Sequence, residues 1–275
     1  MRALPVDVVS VQSQVVYGQV GNNVAVPALQ GFGLRVAAVP TVVLSNTPHY
    51  PSVHGGALPA SWLAGYLYDL RARGVWQSAR AVLSGYIGSP EQASCLGECL
   101  QALQQGVRPP LILVDPVLGD SDSGLYVDER LPDIFRQALL PYADGLTPNG
   151  FELGLLSGMP VDDVDAAVRA ARTLMGTRVQ WIVVTSAAPV AVAGDEMQLL
   201  VVTPERVERL VHRRVPIAPK GTGDLFSATL LGHWLTGLDI VEAAHQAAQA
   251  VLTVLEATSR AQCEEMLLPL PPALP

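Results

Sequence analysis

The sequence predicts a three-layer α/β/α fold around a mostly parallel sheet with an antiparallel edge, and three observations carry that expectation. Short aliphatic, β-branched runs at 6–11, 81–86, 111–118 and 181–186 are apolar almost throughout, as strands covered on both faces are. They alternate with segments whose apolar residues recur at helical spacing, such as Trp62, Leu63, Tyr66, Leu67 and Leu70. Between residues 190 and 215 the alternation gives way to successive short strand-like runs, the pattern of an antiparallel edge.

Composition bounds the rest. A chain of 275 residues, 49% hydrophobic and 15% charged, is long enough for one large domain with a sizeable core. No internal repeat, low-complexity linker or domain boundary interrupts it. A formal charge of −8 without a basic cluster argues against nucleic acid or an anionic membrane as partner. No apolar stretch reaches the roughly 20 residues of a membrane helix, and residues 1–5 carry no signal-peptide pattern, so a cytoplasmic protein is expected. Cys95, Cys99 and Cys263 are too few and too scattered for a disulfide framework and read as small apolar residues.

Taken in order, Val6 to Val11 is the first buried strand. Its end, Gln12 to Gly18, delivers Ser13 toward the edge where open α/β sheets bind ligands. Gly21-Asn22-Asn23 turns into a helix that runs to about Gly31. Arg35–Val39 and Val42–Ser45 form a second strand region, followed by a loop from Asn46 to Gly56 rich in proline and glycine. His49 on that loop is either a ligand contact or a solvated loop residue. A helix ends near Gly74, the strand Ala81–Tyr86 delivers Tyr86 to the same edge, and a helix spans about Glu91 to Gln105.

Leu111 to Asp120 is the clearest buried strand, with Asp115 and Asp120 in its second half. These carboxylates either cap turns or sit where a magnesium nucleotide would lie. A helix over about 131–140 leads to Asp144–Asn149 and then to a helix with Glu152 in its first turn, where the helix dipole favours an acid in any case. Val164, Val168, Ala171 and Met175 mark one helix face, and Trp181 to Ser186 is a buried strand ending in hydroxyls. Strand-like runs at 190–195, 198–202 and 207–215 precede the last two helices, 225–235 and 240–261, and a Pro-rich surface strap from 268 to 275.

The stretch with the strongest chemical signal joins the last strand to those helices: Pro219-Lys220-Gly221-Thr222-Gly223-Asp224. Two glycines permit a tight turn, and Leu225, Ala228, Leu231 and Leu235 continue it as a helix. A helix start offers unpaired N–H groups and a positive dipole end to phosphate or a developing anion. Asp224 there is either an N-cap or a base beside an anion hole. Lys220 is the only lysine of the chain. No Walker-type phosphate loop is present, and Gly31-Phe32-Gly33 is only a fragment of a dinucleotide fingerprint.

Six motifs, in order along nearly the whole chain, resemble those of the pyridoxal kinases of the ribokinase superfamily. They are 11–18 (Val-Gln-Ser-Gln-Val-Val-Tyr-Gly), 44–50, Ser84-Gly85-Tyr86, 114–120 (Val-Asp-Pro-Val-Leu-Gly-Asp), Thr147-Pro148-Asn149 with Glu152, and 220–226. The resemblance is strongest to bacterial enzymes acting on pyridoxine, pyridoxal and pyridoxamine. It implies a ribokinase-like fold and transfer of the ATP γ-phosphoryl group to the vitamer 5′-hydroxyl. In that reading Asp224 is the general base, and the backbone from Gly221 through Thr222 and Gly223 to Asp224 is the anion hole. Ser13, His49 and Tyr86 contact the vitamer. Asp115, Thr147, Glu152, Thr185, Lys220 and Thr222 surround ATP. The resemblance further implies Mg²⁺ at Asp120 and Glu152, partly through water, a monovalent cation such as K⁺ near Asp115, Thr147 and Thr185, and a homodimer. Two other readings stand beside it: a hydroxymethylpyrimidine kinase of the same superfamily, and a non-catalytic B6-binding protein.

Overall fold

A computed structural model of the protein describes residues 4–176, 178–187 and 196–269. Its strands are β1 (Val8–Val15), β2 (Val36–Leu44), β3 (Gly55–Ala57), β4 (Ala81–Ser84), β5 (Leu111–Val114), β6 (Gly119–Asp120), β7 (Gly124–Leu125), β8 (Gly145–Leu146), β9 (Trp181–Val184), β10 (Glu196–Val202) and β11 (Val207–Arg213). Its helices are α1 (Asn22–Gln30), α2 (Ala60–Ala72), α3 (Pro90–Gln104), α4 (Leu131–Ile134), α5 (Gly150–Ser157), α6 (Val164–Leu174), α7 (Thr222–Leu235) and α8 (Ile240–Ala261). One nine-stranded sheet has the order β11-β10-β9-β8-β5-β4-β1-β2-β3, and β6 and β7 form a separate small hairpin.

The strands from β9 through β8, β5, β4 and β1 to β2 are parallel. β10 and β11 add an antiparallel edge where the sequence predicts one. A second antiparallel edge lies at the other end, because β3 pairs back onto β2 with Val43 opposite Gly56. The sequence pattern places Gly55 and Gly56 in a loop. Two glycines and an alanine carry no apolar alternation, so pairing to an existing edge, not side-chain pattern, makes the strand.

Alternation along each strand sends side chains to two cores. Val9, Val82, Ile112 and Ile182 pack with Leu63, Leu67, Leu96, Leu100, Leu153 and Ala170 from α2, α3, α5 and α6. Val8, Leu83, Leu113 and Val183 face the other layer, where α1, α7 and α8 supply Ala25, Leu29, Phe226, Leu230 and Ala247. This period of two in a sheet covered on both sides explains why the strands read as continuous apolar runs. Local signals start the helices. Ser89 accepts from the Gln92 N–H at 3.2 Å with Pro90 in the first turn, and Asp163 accepts from the Ala166 N–H at 2.7 Å.

Several boundaries differ from the sequence reading. β1 runs on to Val15, so Ser13 lies within the strand. Residues 36–44 are one strand through Pro40, and the pairing register with β1 shifts between Gln12 and Gln14, opposite that proline, which has no N–H to donate. The segment 131–140 is not one helix. α4 passes into a wider π turn over Phe135–Leu139 and a tighter turn over Leu140–Tyr142, where Pro141 cannot continue the ladder. The strand-like run 190–195 and most of the expected strap 268–275 lie outside the described residues. Cys95 and Cys99 are half-buried on α3, and burial pushes the Cys99 thiol up to about 11. No helix among the described residues is long and apolar enough to cross a membrane.

Candidate active site

The carboxyl ends of β1, β2, β4, β5, β8 and β9 open on one edge of the sheet, the edge at which such sheets bind ligands. Ser13 lies near the end of β1, and the segments that leave the other strands carry His49, Tyr86, Asp115 with Asp120, Thr147 and Thr185. The helix α7 begins at the same edge.

Gly221 makes that beginning possible. Its φ is +91°, and a Cβ built there would lie 2.0 Å from the Gln19 carbonyl oxygen, so both backbone conformation and space require glycine. No side chain caps α7 at Gly221, and the first-turn N–H groups, from Thr222 onward, have no acceptor within the helix. The capping reading of Asp224 is thereby corrected: Asp224 is third in the first turn, and its Oδ2 accepts from the Gly21 N–H at 2.9 Å. Gly21 is itself tightly held, since a Cβ on it would meet the Ser13 carbonyl oxygen at 2.2 Å. Ser13, Gly21 and Asp224 thus form one packed contact. Surrounding protein desolvates the Asp224 carboxyl and pushes it up to about 6, against the opposing pull of the Gly21 N–H.

Asp115 lies beside the turn, 3.8 Å from where a Cβ on Gly223 would be. Its Oδ2 accepts from Ser227 Oγ at 2.9 Å, and Ser227 Oγ is 2.8 Å from Thr147 Oγ1. Burial, then the charge of Asp224, raises the Asp115 carboxyl to about 7, and the hydroxyls of Ser227 and Thr147 moderate the rise. Thr185 closes this side through its N–H, which donates to the Pro148 carbonyl at 2.9 Å, and through a bridge to Asn149.

Glu152 is buried, and its oxygens accept backbone N–H groups from three residues: Leu118 at 3.0 Å, Gly119 at 3.5 Å and Asn149 at 2.9 Å. Asn149 in turn accepts from the Glu152 N–H, completing a capping box for α5. Glu152 therefore staples the Asp115–Asp120 loop to α5, and burial, then the charge of Asp115, raises its carboxyl. We expect Glu152→Ala, which leaves those buried N–H groups without acceptors, to cost about 2–4 kcal/mol, read as a lower urea midpoint with unchanged m value. Asp120 is more open. Its Oδ1 accepts from the Asp122 and Ser123 N–H groups, and its Oδ2 lies 3.9 Å from Lys220 Nζ. Lys220 is half-exposed.

Ser13, His49 and Tyr86 are farther apart in character. Ser13 is buried against Gly21, His49 is exposed with its Nδ1 2.7 Å from Thr47 Oγ1, and the half-buried Tyr86 has its carbonyl bound by Thr41 Oγ1 at 2.7 Å. No hydrogen bond joins the three side chains among the described residues. The edge also holds residues that no motif picks out. Gly21 reads only as a turn, and Ser227 only as one hydroxyl in the apolar run 225–231. Burial, then the charges of Glu152, Asp115, Asp120 and Asp224, raises the Tyr126 phenol.

The family model described as phosphomethylpyrimidine kinase matches residues 36–268. Over 269 residues the chain is 55% identical to the pyridoxine/pyridoxal/pyridoxamine kinase of Bordetella bronchiseptica, covering 98% of this chain and 95% of that one. The chain belongs to the pyridoxal kinases of the ribokinase superfamily. Another pyridoxal kinase, PdxY of Rubrobacter xylanophilus, is 37% identical over 268 residues, 95% of this chain and 91% of its own. The pyridoxal kinase from Leishmania donovani, solved in complex with ADP and pyridoxine, superposes with a TM-score of 0.84 at 28% identity, covering 94% of this chain and 88% of that one. The pyridoxal kinase family thus accounts for the fold from the first parallel strand to the last helix.

Proposed function

We propose that the chain transfers the γ-phosphoryl group of ATP to the 5′-hydroxyl of pyridoxal, pyridoxine and pyridoxamine. The observation that carries this is Asp224, a desolvated carboxylate on the first turn of an uncapped helix, in a chain this similar to vitamer kinases. In this reading the ionised Asp224 takes the hydroxyl proton as the vitamer oxygen bonds to the γ-phosphorus. The bond from that phosphorus to the bridging β–γ oxygen breaks, and ADP leaves. The N–H groups of Thr222, Gly223 and Asp224 take up charge on the equatorial phosphoryl oxygens, and Lys220 adds positive charge beside them. Ser13, His49 and Tyr86 hold the pyridine ring and its substituents.

The residues present also fit cations. Among the described residues, Asp115, Glu152 and Asp224 make no ion pair, so this edge concentrates negative charge. Among those residues Asp120 Oδ2 accepts no hydrogen bond and meets only Lys220 Nζ at 3.9 Å, so it suits Mg²⁺, whereas Glu152, engaged by backbone N–H groups, suits contact through water. Bound magnesium would neutralise phosphate charge. The oxygens of Asp115, Thr147 and Thr185 suit a monovalent cation such as K⁺. Asp115, Thr147, Glu152 and Thr185, with Thr222 at the helix start, would border the nucleotide. A homodimer and a cytoplasmic location follow from the family resemblance alone.

The test is ATP-dependent formation of pyridoxal 5′-phosphate from pyridoxal, with hydroxymethylpyrimidine assayed in parallel because the matching family model is described as a kinase of a related pyrimidine, phosphomethylpyrimidine. We expect pyridoxal to be the better substrate by kcat/KM. Phosphorylation of hydroxymethylpyrimidine alone would move the substrate assignment to the sister kinase, and silence on both would favour a binding protein.

A further inference from the structure

After α8 the chain turns back across the active-site edge. Glu265 Oε2 accepts from the Gln19 N–H at 2.9 Å, and its Oε1 accepts from the Tyr50 hydroxyl at 2.9 Å. Both partners touch the site. The Gln19 carbonyl is the atom packed against Gly221, and the Tyr50 ring lies on His49 with centroids 4.1 Å apart. The neighbouring residues anchor the segment. Met266 is 2% exposed among Val24, Leu225 and Val254, and the Leu267 N–H donates to Thr258 Oγ1 at 2.9 Å.

We infer that Glu265 is a positioning residue for the vitamer, its carboxylate tying the His49–Tyr50 loop to the Gln19 backbone that seats the glycine turn. Three chain segments far apart in sequence, around residues 19, 50 and 221, meet through this one side chain. Without it Tyr50 Oη loses the one hydrogen bond it makes among the described residues, and Thr47 Oγ1, the hydroxyl beside His49 Nδ1, loses its 3.5 Å contact with Oε1. The inference rests on the kinase reading above, since it concerns the same substrate.

Steady-state kinetics test it. Glu265→Ala should raise the vitamer KM about tenfold, the effect of losing two hydrogen bonds to a charged acceptor, with ATP KM within about twofold of native. Glu265→Gln should restore most of the loss, because its amide oxygen can accept from Gln19 N–H and its NH₂ can donate to the Tyr50 oxygen. Tyr50→Phe should raise the vitamer KM less, and should add little in the Glu265→Ala background. A vitamer KM in Glu265→Ala within twofold of native, parallel rises in both KM values with a lowered Tm, or fully multiplicative effects of the two substitutions would each overturn the positioning role. A native chain that phosphorylates no vitamer would instead overturn the kinase reading and this role with it.

Discussion

Asp224→Asn is expected to lower kcat by about 10²–10⁴-fold, the span of a lost general base, while leaving vitamer binding largely intact. The substitution is nearly isosteric, and the asparagine carbonyl can still accept the Gly21 N–H, so the packed contact of Ser13, Gly21 and residue 224 survives. Single-turnover kinetics with a separate measurement of vitamer affinity would check the split. Unchanged turnover would remove Asp224 from the role of base.

The same carboxyl sets a pH limb. A base must be ionised to act, and Asp224 is pushed up to about 6, so kcat/KM should fall about tenfold per pH unit below that value in the native chain. The stability consequence runs the other way. A carboxyl raised in the folded state contributes stability that is present below its unfolded value and lost as pH rises through about 6. Asp224→Asn should therefore melt at or above the native temperature at pH 8, and lose that advantage near pH 4.

The second large effect belongs to the glycine turn. Gly221→Ala is expected both to destabilise the fold and to lower kcat by about 10²–10³-fold, because the anion-hole N–H groups move with the turn. A methyl there must meet the Gln19 carbonyl at 2.0 Å in a left-handed conformation, and neither partner is the free end of a side chain. Gly223→Ala separates structure from chemistry. Its nearest neighbour would be Asp115 Oδ2 at 3.8 Å, an ordinary contact, and its φ is not left-handed. That variant should melt like the native chain yet turn over more slowly, as the methyl would crowd the proposed anion hole. Equal losses of Tm in the two variants would argue that both glycines serve the turn alone.

These contrasts mark the border between sequence and structure. Lys220 to Asp224, Asp115 with Asp120, and Thr147 with Glu152 stand out in the sequence as candidates because each group lies in a short local motif: a turn, a strand end, a helix start. Apolar alternation and helical spacing are local too, so the order of strands and helices, the mostly parallel sheet and the antiparallel edge of β10 and β11 follow from the residues themselves. β3 escaped because its residues have no pattern and gain their pairing only from a neighbouring edge. What tertiary structure alone decided are contacts whose partners are remote in the chain. Gly21 reaches Asp224 across 203 positions, Ser227 reaches Asp115 across 112, and Glu265 reaches Tyr50 across 215. A side chain's spacing along the sequence encodes which face of its own element it occupies. It does not encode which distant backbone atom that face will meet once the layers close.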